Sequence, residues 1–192
     1  MPNLFRSTRV VPALLLFFSV GLHAQNGRVD VAVTYIAQRS LQVNTNQNFW
    51  LQGGSIELGA DAWKGLGIAA NVTGTQTGSI NNAGVPLSLV TTTFGPRYRW
   101  HADKKVSLYG QTLIGIANGF NSVFPAPTGA QNSANSFALQ IGGGLDYRMS
   151  KHLSIRALDA GWLRTQLPNS ASNTQNTLRL GAGIVVGFGG HH

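Results

Sequence analysis

The stretch FALQIGGGLDYR, residues 137–148, decides the fold because its side chains alternate strictly along the chain. Phe137, Leu139, Ile141 and Leu145 share one parity, while small or polar residues take the other. A period of two is that of a β-strand with one apolar face. Strands of soluble proteins usually have about 5 or 6 residues, whereas a tilted strand that crosses a membrane needs about 9 to 11. Length and alternation together predict a membrane-spanning strand.

The same alternation returns seven more times after residue 25, and no stretch there sustains a helical period. The mature chain is therefore predicted to be all-β. The eight predicted strands cover residues 29–39, 50–62, 66–76, 89–100, 106–118, 137–148, 153–164 and 177–188.

The connections between these strands alternate in length. Short connections lie near Lys64 and at residues 101–105 and 149–152. Longer segments without any Asp, Glu, Lys or Arg lie at residues 40–48, 77–87, 119–136 and 165–176. Short inner turns and long outer loops are typical of membrane barrels. The sequence therefore predicts an eight-stranded antiparallel up-and-down transmembrane β-barrel with both termini in the periplasm.

The N-terminus has the order of a secretory signal peptide. Arg6 and Arg9 form the basic region, the apolar run VVPALLLFFSVGL follows, and Ala24 is the small residue after which we expect cleavage. The run is shorter than the roughly 20 residues that a membrane-spanning helix needs. We assign residues 1–24 to the signal peptide and residues 25–192 to the barrel domain.

The composition excludes an ordinary soluble surface. Charged residues make up only 10% of the sequence, against about 25% in a typical soluble domain, and there is no cysteine to form disulfides. Without Arg6 and Arg9, 12 basic and 6 acidic residues remain, which gives a net charge of +6. A packed core or a closed sheet must hold the exported chain together.

Most charges outside the turns fall on the small and polar face of a strand. Because a basic side chain that faces lipid at the bilayer midplane costs about 2–4 kcal/mol, we expect this face to line the lumen. The predicted lumen cluster of ion pairs consists of Asp30, Glu57, Asp61, Arg97, Arg99, Asp146, Arg156, Asp159 and Arg179. An eight-stranded barrel is just wide enough for its own side chains, so the cluster is expected to plug it.

Two strands break the regular pattern. Arg156 and Asp159 have opposite parity, so we predict a β-bulge between them that turns both into the lumen. Pro96 has no N–H to give to a neighbouring strand, and a closed barrel has no free edge. We therefore expect a bulge or a missing ladder bond beside Gly95.

The segment TTFGPRYRW, residues 92–100, places its arginines and its aromatic rings on opposite faces. A groove for single-stranded nucleic acid needs bases to stack on rings beside the basic groups, so nucleic acid is not an expected partner. Tyr98 and Trp100 instead fit an aromatic girdle at the inner membrane–water interface.

These features resemble the OmpA-like family of small outer-membrane β-barrels over about residues 26–190. The segments that carry the resemblance are TTFGPRYRW, LQIGGGLDYRMSKHLSIRALDAGWLRT and the closing LRLGAGIVVGFG. The resemblance implies the outer membrane of a Gram-negative cell, with membrane lipid and lipopolysaccharide as neighbours. The last strand is similar to the signal that the barrel-assembly machinery recognises, which would consist of Arg179, Gly181, Ile184, Val186 and Phe188.

The histidines argue against catalysis. His101 and His152 lie at predicted periplasmic turns, so no Ser–His pair can form near the outer loops. The adjacent His191 and His192 make a weak metal site without further ligands. We expect no catalytic residues, no metal and no cofactor.

The preferred function is a structural or surface-interaction barrel whose four uncharged outer loops contact a surface ligand that the sequence does not identify. The first alternative is an enzyme that modifies lipid A, since barrels of this size with that activity are known. The others are a narrow porin and a secreted barrel that holds a small apolar ligand. The secreted barrel would need its apolar parity to face inward.

Overall fold

The computed structural model of the chain describes residues 27–41, 49–80, 84–102, 104–127, 129–169 and 173–189. The predicted signal peptide, with Ala24, and the terminal His191 and His192 lie outside these residues. Eight strands follow one another: β1 (Arg28–Ser40), β2 (Trp50–Trp63), β3 (Leu66–Ile80), β4 (Val85–Trp100), β5 (Val106–Ala126), β6 (Gly129–Arg148), β7 (Leu153–Thr165) and β8 (Gln175–Phe188).

Each strand pairs antiparallel with its neighbours in sequence, and β1 closes the sheet against β8. The closing register runs from Val29 opposite Phe188 to Ser40 opposite Thr177. The predicted eight-stranded up-and-down barrel is confirmed. The described part of the chain contains no helix that is long and apolar enough to cross a membrane.

At the short-turn end the strands stop where the periodicity stops. Lys64 and Gly65 connect β2 to β3 with φ angles of 48° and 83°. Two successive positive φ angles are those of a type I′ hairpin turn, which matches the twist of antiparallel strands. Gly adopts such a conformation freely, whereas Lys64 does so at some cost.

At the opposite end two expected loops are largely strand. The segment 119–136 was expected to be a loop, but β5 runs to Ala126 and β6 begins at Gly129, with Phe124 opposite Gln131. The segment 77–87 is shortened in the same way, since Ile80 pairs with Val85. Most residues of β6 between 129 and 137 are exposed, so no buried face imposes the alternation that identifies a strand.

The bulge in β7 is confirmed. On the β6 side, Leu145 pairs with Leu158 and Asp146 pairs with Arg156, which leaves Ala157 unpaired. On the β8 side the register also shifts between Arg156 and Asp159. As a result Arg156 is 0% and Asp159 2% exposed, and both point into the barrel.

The ladder between β4 and β5 is interrupted at Gly95 and Pro96, as expected, without a register shift. The backbone N–H of Arg99 donates to Gly65 O on the β3 side. Because N–H groups alternate in direction along a strand, the position of Pro96 faces β5, where its missing N–H removes a bond.

The barrel is apolar outside and polar inside. Trp63, Ile68 and Phe94 are 67%, 67% and 64% exposed, and most other large apolar side chains of the strands share that outward face. Tyr98 and Trp100 meet edge to face at 4.5 Å between ring centroids, next to the short turns. The interior is lined by buried Asp, Glu, Arg, Asn, Gln, Ser and Thr side chains. A secreted barrel with an apolar cavity would need its apolar parity to face inward, so this arrangement excludes that alternative. It fits a barrel whose outer wall is covered by lipid.

Candidate functional site

The charged interior begins near the short turns with Arg97 of β4. Its Nη1 and Nη2 atoms donate to Asp30 Oδ1 and Oδ2 of β1, at 2.8 Å each. The same Nη2 lies 2.9 Å from Asp61 Oδ1 of β2. Two parallel bonds from one guanidinium to one carboxylate are the strongest geometry for such a pair.

Arg99, two residues further along β4, connects this pair to the opposite wall. Its Nη1 donates to Asp146 Oδ2 of β6 at 2.7 Å, and its Nη2 donates to Asp30 Oδ2 at 3.2 Å. Its Nε lies 3.3 Å from Asp61 Oδ2. Arg99 therefore bridges three carboxylates that belong to β1, β2 and β6.

Arg156 continues the network from the bulge of β7. Its Nε donates to Asp146 Oδ1 and its Nη1 to Glu57 Oε1, both at 3.0 Å. Its guanidinium carbon lies 4.2 Å from the ring centroid of Tyr109, a cation–π contact on the remaining face. The Oε2 atom of Glu57 accepts a bond of 2.7 Å from Gln111 Nε2.

Arg179 of β8 completes the network with one carboxylate and several neutral groups. Its Nη2 lies 3.1 Å from Asp159 Oδ2. The other acceptors, at 3.1–3.4 Å, are Gln140 Oε1, Thr73 Oγ1, Ser55 Oγ and Asn71 Oδ1. Every charged residue predicted for the lumen thus lies inside the barrel.

The four arginines and five carboxylates form one continuous chain of contacts, and each of the nine residues is at most 8% exposed. The pair of Arg179 and Asp159 joins the rest through Arg156 Nη1, which lies 3.9 Å from Asp159 Oδ2. A buried charge is tolerated only when paired and hydrogen-bonded, and removing one partner typically costs about 3–5 kcal/mol. The network therefore connects the strands that contribute to it across the interior of the barrel.

Two glycines make room for this network. A Cβ atom at Gly59 would overlap the guanidinium of Arg97, which is already held by Asp30. A Cβ atom at Gly144 would lie 2.7 Å from Tyr109 Oη, closer than such atoms approach. Gly59 and Gly144 are thus positions where a strand approaches an interior side chain closely.

The outer end of the interior is apolar, which sequence reasoning missed. A cluster of buried side chains fills it: Leu51, Leu89, Ala117, Phe124, Ala138, Leu163 and Leu167, with Phe49, Leu87 and Ala134 packed against them. Leu51, Leu89 and Leu163 lie on the inward parity of their strands, and this parity is the sequence feature that could have predicted the cluster. Phe124, expected in an outer loop, is 6% exposed and caps the cluster.

Two basic residues also escaped the sequence prediction. Arg39 and Arg164 lie near the outer ends of β1 and β7, and both are exposed on the lipid-facing wall. The guanidinium carbon of Arg39 lies 5.9 Å from the ring centroid of Trp50. Leu178 of β8 pairs with Arg39 on one side, and Asn176 pairs with Arg164 on the other. The two cations thus flank one strand.

The remaining predicted residues occupy β8. Gly181 shares the inward parity of Arg179, while Ile184 and Phe188 are 50% and 52% exposed on the outer wall. Val186 is half-buried on the same wall. His101 and His152 lie beside the short turns, at the end opposite to the hairpin that connects β5 and β6. Across the described ranges, no group of three His, Cys, Asp or Glu could hold a metal ion.

Solved structures of small barrels are similar to this fold. Ail, the attachment invasion locus protein of Yersinia pestis, is 19% identical and matches 85% of this chain and 99% of its own, with a TM-score of 0.55. Neisserial surface protein A is 16% identical, over 84% of this chain and 97% of its own, with a TM-score of 0.58. OprG of Pseudomonas aeruginosa is 8% identical, over 85% and 97%, with a TM-score of 0.53. No curated protein matches the sequence.

At these identities the likeness shows the fold, and the expected resemblance to small eight-stranded outer-membrane barrels is confirmed. The family described as outer membrane protein beta-barrel domain matches residues 10–188, which is most of the chain. The chain belongs to this outer membrane protein β-barrel family, and the outer membrane is its location.

Proposed function

We propose that the protein is a side-chain-plugged barrel that acts at the cell surface, in a structural or interaction role, and is neither a pore nor an enzyme. The observation that carries this proposal is the continuous ion-pair network. Its charged residues come from β1, β2, β4, β6, β7 and β8, so it crosses the lumen from wall to wall. The apolar cluster lies beyond it at the outer end.

Solute flux into proteoliposomes tests this role. We expect vesicles that contain the folded protein to swell in arabinose no faster than protein-free vesicles. A general porin reconstituted at the same protein-to-lipid ratio is the positive control. Swelling at a rate near that of the porin would contradict the plug and favour the porin alternative.

The hairpin of β5 and β6 supports a surface role. It projects beyond the neighbouring strands and contains no Asp, Glu, Lys or Arg between residues 119 and 136. A structure of Ail has been solved with the heparin analogue sucrose octasulfate, a polyanion. An uncharged hairpin does not attract polyanions by charge, so we expect its ligand to be of another kind.

We also propose that Arg39 and Arg164 contact lipopolysaccharide. Both are exposed on the outer wall, near the end from which the hairpin projects. There a guanidinium can pair with a phosphate in two parallel bonds while its stem lies along the apolar wall. An Arg that faces lipid normally destabilises a barrel, but this destabilisation falls to about 0–1 kcal/mol at the level of the headgroups.

Binding of lipopolysaccharide to the double variant Arg39→Gln/Arg164→Gln tests this contact. Each basic residue near an anionic surface contributes about 1 kcal/mol, so the double variant should bind phosphorylated lipopolysaccharide about thirtyfold more weakly. Lys64→Gln/Lys151→Gln, at the other end of the barrel, is the matched control and should bind as the wild type does. Equal affinities of the two double variants would contradict the proposal.

The closing strand carries the proposed contact with the barrel-assembly machinery. Phe188 is half-exposed at the end of β8, where an incoming chain offers its last strand. We expect Phe188→Ala to slow assembly, measured as the fraction of newly made protein that migrates in the heat-modifiable folded form. Trp63→Ala, at the same end on β2, is the control, and equal slowing by both would contradict a signal specific to β8.

The enzyme alternative has no support among the described residues. His101 and His152 lie by the short turns, far along the barrel from the end of the projecting hairpin. Incubation of the folded protein with purified lipopolysaccharide should leave the acyl chains of lipid A unchanged by mass spectrometry. Loss or transfer of an acyl chain would overturn this part of the proposal.

A further inference from the structure

A concave site lies on the outer wall of the barrel, above the lipid-facing band of β2, β3 and β4. Its volume is about 840 Å³, within the range of about 300–1,000 Å³ that ligand sites usually have. The described residues that line it are Trp50, Gln52, Gln76, Thr77, Gly78, Pro86, Ser88 and Asn121. None of these lining residues carries a charge.

The polar groups of the site form one row across the strands. Gln52 of β2 pairs with Gln76 of β3, and Gln76 pairs with Ser88 of β4. Neighbouring strands are about 4.8 Å apart, so two amides and a hydroxyl stand side by side at that spacing. Asn121 Nδ2 donates to Ser88 Oγ at 3.2 Å, which holds the end of the row in place.

An aromatic ring stands beside the β2 end of this row, two residues before Gln52 on the same face of the strand. Trp50 is 46% exposed, and the guanidinium of Arg39 lies over its ring at 5.9 Å. Tyr35 Oη donates to Gln52 Oε1 at 2.9 Å, so the amide next to Trp50 is also oriented. Two neighbours thus fix the wall of the site before any ligand arrives, which lowers the entropy lost on binding.

Glycines give the site its depth. Gly54 and Gly74 pair directly below the row of amides, and Gly78 lines the site above it. A Cβ atom at Gly74 or Gly78 would meet nothing within 4 Å. The wall is therefore bare where most strands of this barrel present a large apolar side chain.

We propose that this concavity, the Trp50 site, binds an uncharged hexose oligosaccharide. A sugar ring has an apolar C–H face that can stack on an indole, and hydroxyls at its edge that both donate and accept hydrogen bonds. Amides and hydroxyls offer donors and acceptors together, whereas arginine offers donors alone. Arg39 lies over the Trp50 ring but is not part of the lining, and the lining residues themselves carry no charge, which favours sugar hydroxyls over sulfate or phosphate.

The ligand chemistry has two possible sources. Uncharged hexoses occur in the core of the lipopolysaccharide that surrounds the barrel and in glycans of other surfaces. The proposal deepens the surface role above and rests on the outer end of the barrel being the interacting surface. The Trp50 site is separate from the plug, however, so flux measurements and sugar binding can fail independently.

Titration calorimetry on the folded wild-type protein in detergent tests the Trp50 site. The soluble probes are maltopentaose, cellopentaose and chitopentaose, with sucrose octasulfate as the charged comparison. The membrane probe is dephosphorylated core oligosaccharide released from lipopolysaccharide by mild acid. We expect saturable binding of at least one uncharged probe, and the probe that binds identifies the source.

Two variants and one control assign the binding to this site. Trp50→Ala should weaken the binding at least about tenfold, because truncated aromatic anchors carry much of the energy of a binding site. Gly78→Val should do the same by filling the concavity, and we expect it to fold because a Cβ at this position meets nothing within 4 Å. Trp63→Ala is matched to Trp50→Ala, since Trp63 is also exposed on β2 and has Lys64 over its ring at 4.9 Å.

The controls also make the proposal falsifiable. Heat-modifiable migration on a gel reports whether each variant is folded before its titration is counted. Binding retained by Trp50→Ala and Gly78→Val would overturn the assignment, as would equal loss in Trp63→Ala. Absence of binding by every uncharged probe, or binding of sucrose octasulfate alone, would overturn the proposal itself.

Discussion

The turn end of the barrel interior is filled by charged side chains, and its outer end is filled by apolar ones. At the turn end, Arg97 and Arg99 share Asp30 and Asp61 at distances of 2.8–3.3 Å. At the outer end, leucines from several strands pack around Phe124 with no charged member in the cluster as described. One lumen therefore combines two kinds of core.

The two halves are therefore held together by different interactions and differ in how well they tolerate substitution. Each charged group in the turn half depends on partners from opposite walls. The side chains of that half therefore have one favourable arrangement, and substitutions there are poorly tolerated. Apolar packing is less directional and accepts other side chains of similar volume. The outer half can therefore hold a projecting hairpin whose sequence can change without disturbing the charged network beneath it.

The largest effect is expected from removing a charge in the turn half. Arg97→Leu leaves Asp30 without its bidentate partner and deprives Asp61 of one contact, so the free energy of unfolding should fall by about 3–5 kcal/mol. Urea-induced unfolding in lipid vesicles measures this. A loss below about 1 kcal/mol, the ordinary value for an exposed pair, would show that the charged half is solvated.

A smaller effect is expected in the apolar half. Phe124→Ala should lower the free energy of unfolding by about 3 kcal/mol or less, since one face of its site is the mouth of the barrel. Hydrogen exchange should then accelerate in residues 119–136, while the amides of β1 and β2 near Asp30 and Asp61 keep their protection. Acceleration at both ends would mean that the two halves are one cooperative unit.

A third comparison concerns two glycines, Gly59 beside the Arg97 guanidinium and Gly74 on the outer wall. Gly59→Ala should cost about 1–3 kcal/mol, because its methyl group overlaps a guanidinium that Asp30 prevents from moving away. Gly74→Ala, on the outer wall with nothing within 4 Å of its Cβ, is the matched control and should change stability by about 0.5 kcal/mol at most. Equal unfolding free energies of the two variants would contradict the close contact at Gly59.

The smallest effect is expected at the interrupted ladder. Pro96→Ala restores an N–H that faces β5, and one added hydrogen bond contributes about 0.5–1.5 kcal/mol. The gain in unfolding free energy should lie in that range, with slower exchange of the new amide. A destabilised Pro96→Ala would show that the fixed φ of proline matters more here than the missing bond.

Most of the architecture follows from the sequence because a strand with one buried face must alternate. The same parity argument located the bulge, since Arg156 and Asp159 can both be inside only if one extra residue separates their registers. The β6 side of the hairpin beyond residue 119 has no such constraint, because Asn135 and Ser133 are exposed and are not packed against a core. Its pairing could not be read from periodicity.

The candidate sites were predictable only in part. Ionic residues such as Glu57 and Arg179 can be assigned to the lumen one strand at a time, because a charge that faces the middle of the bilayer is costly. The apolar cluster at the outer end was predictable in principle, because Leu51 and Leu163 lie on the inward parity of their strands. The Trp50 site depends on which residues of β2, β3 and β4 stand opposite one another. The periodicity of each single strand does not determine that register.

Planar-bilayer recording of single channels tests the central claim, a lumen sealed by its own side chains, most directly. Ions are smaller than arabinose, so this measurement detects gaps that solute flux would miss. We expect the wild-type protein, inserted and shown by its gel migration to be folded, to produce no stable conductance steps at any applied voltage that the bilayer withstands. Large, stable steps from the folded wild-type protein would contradict it.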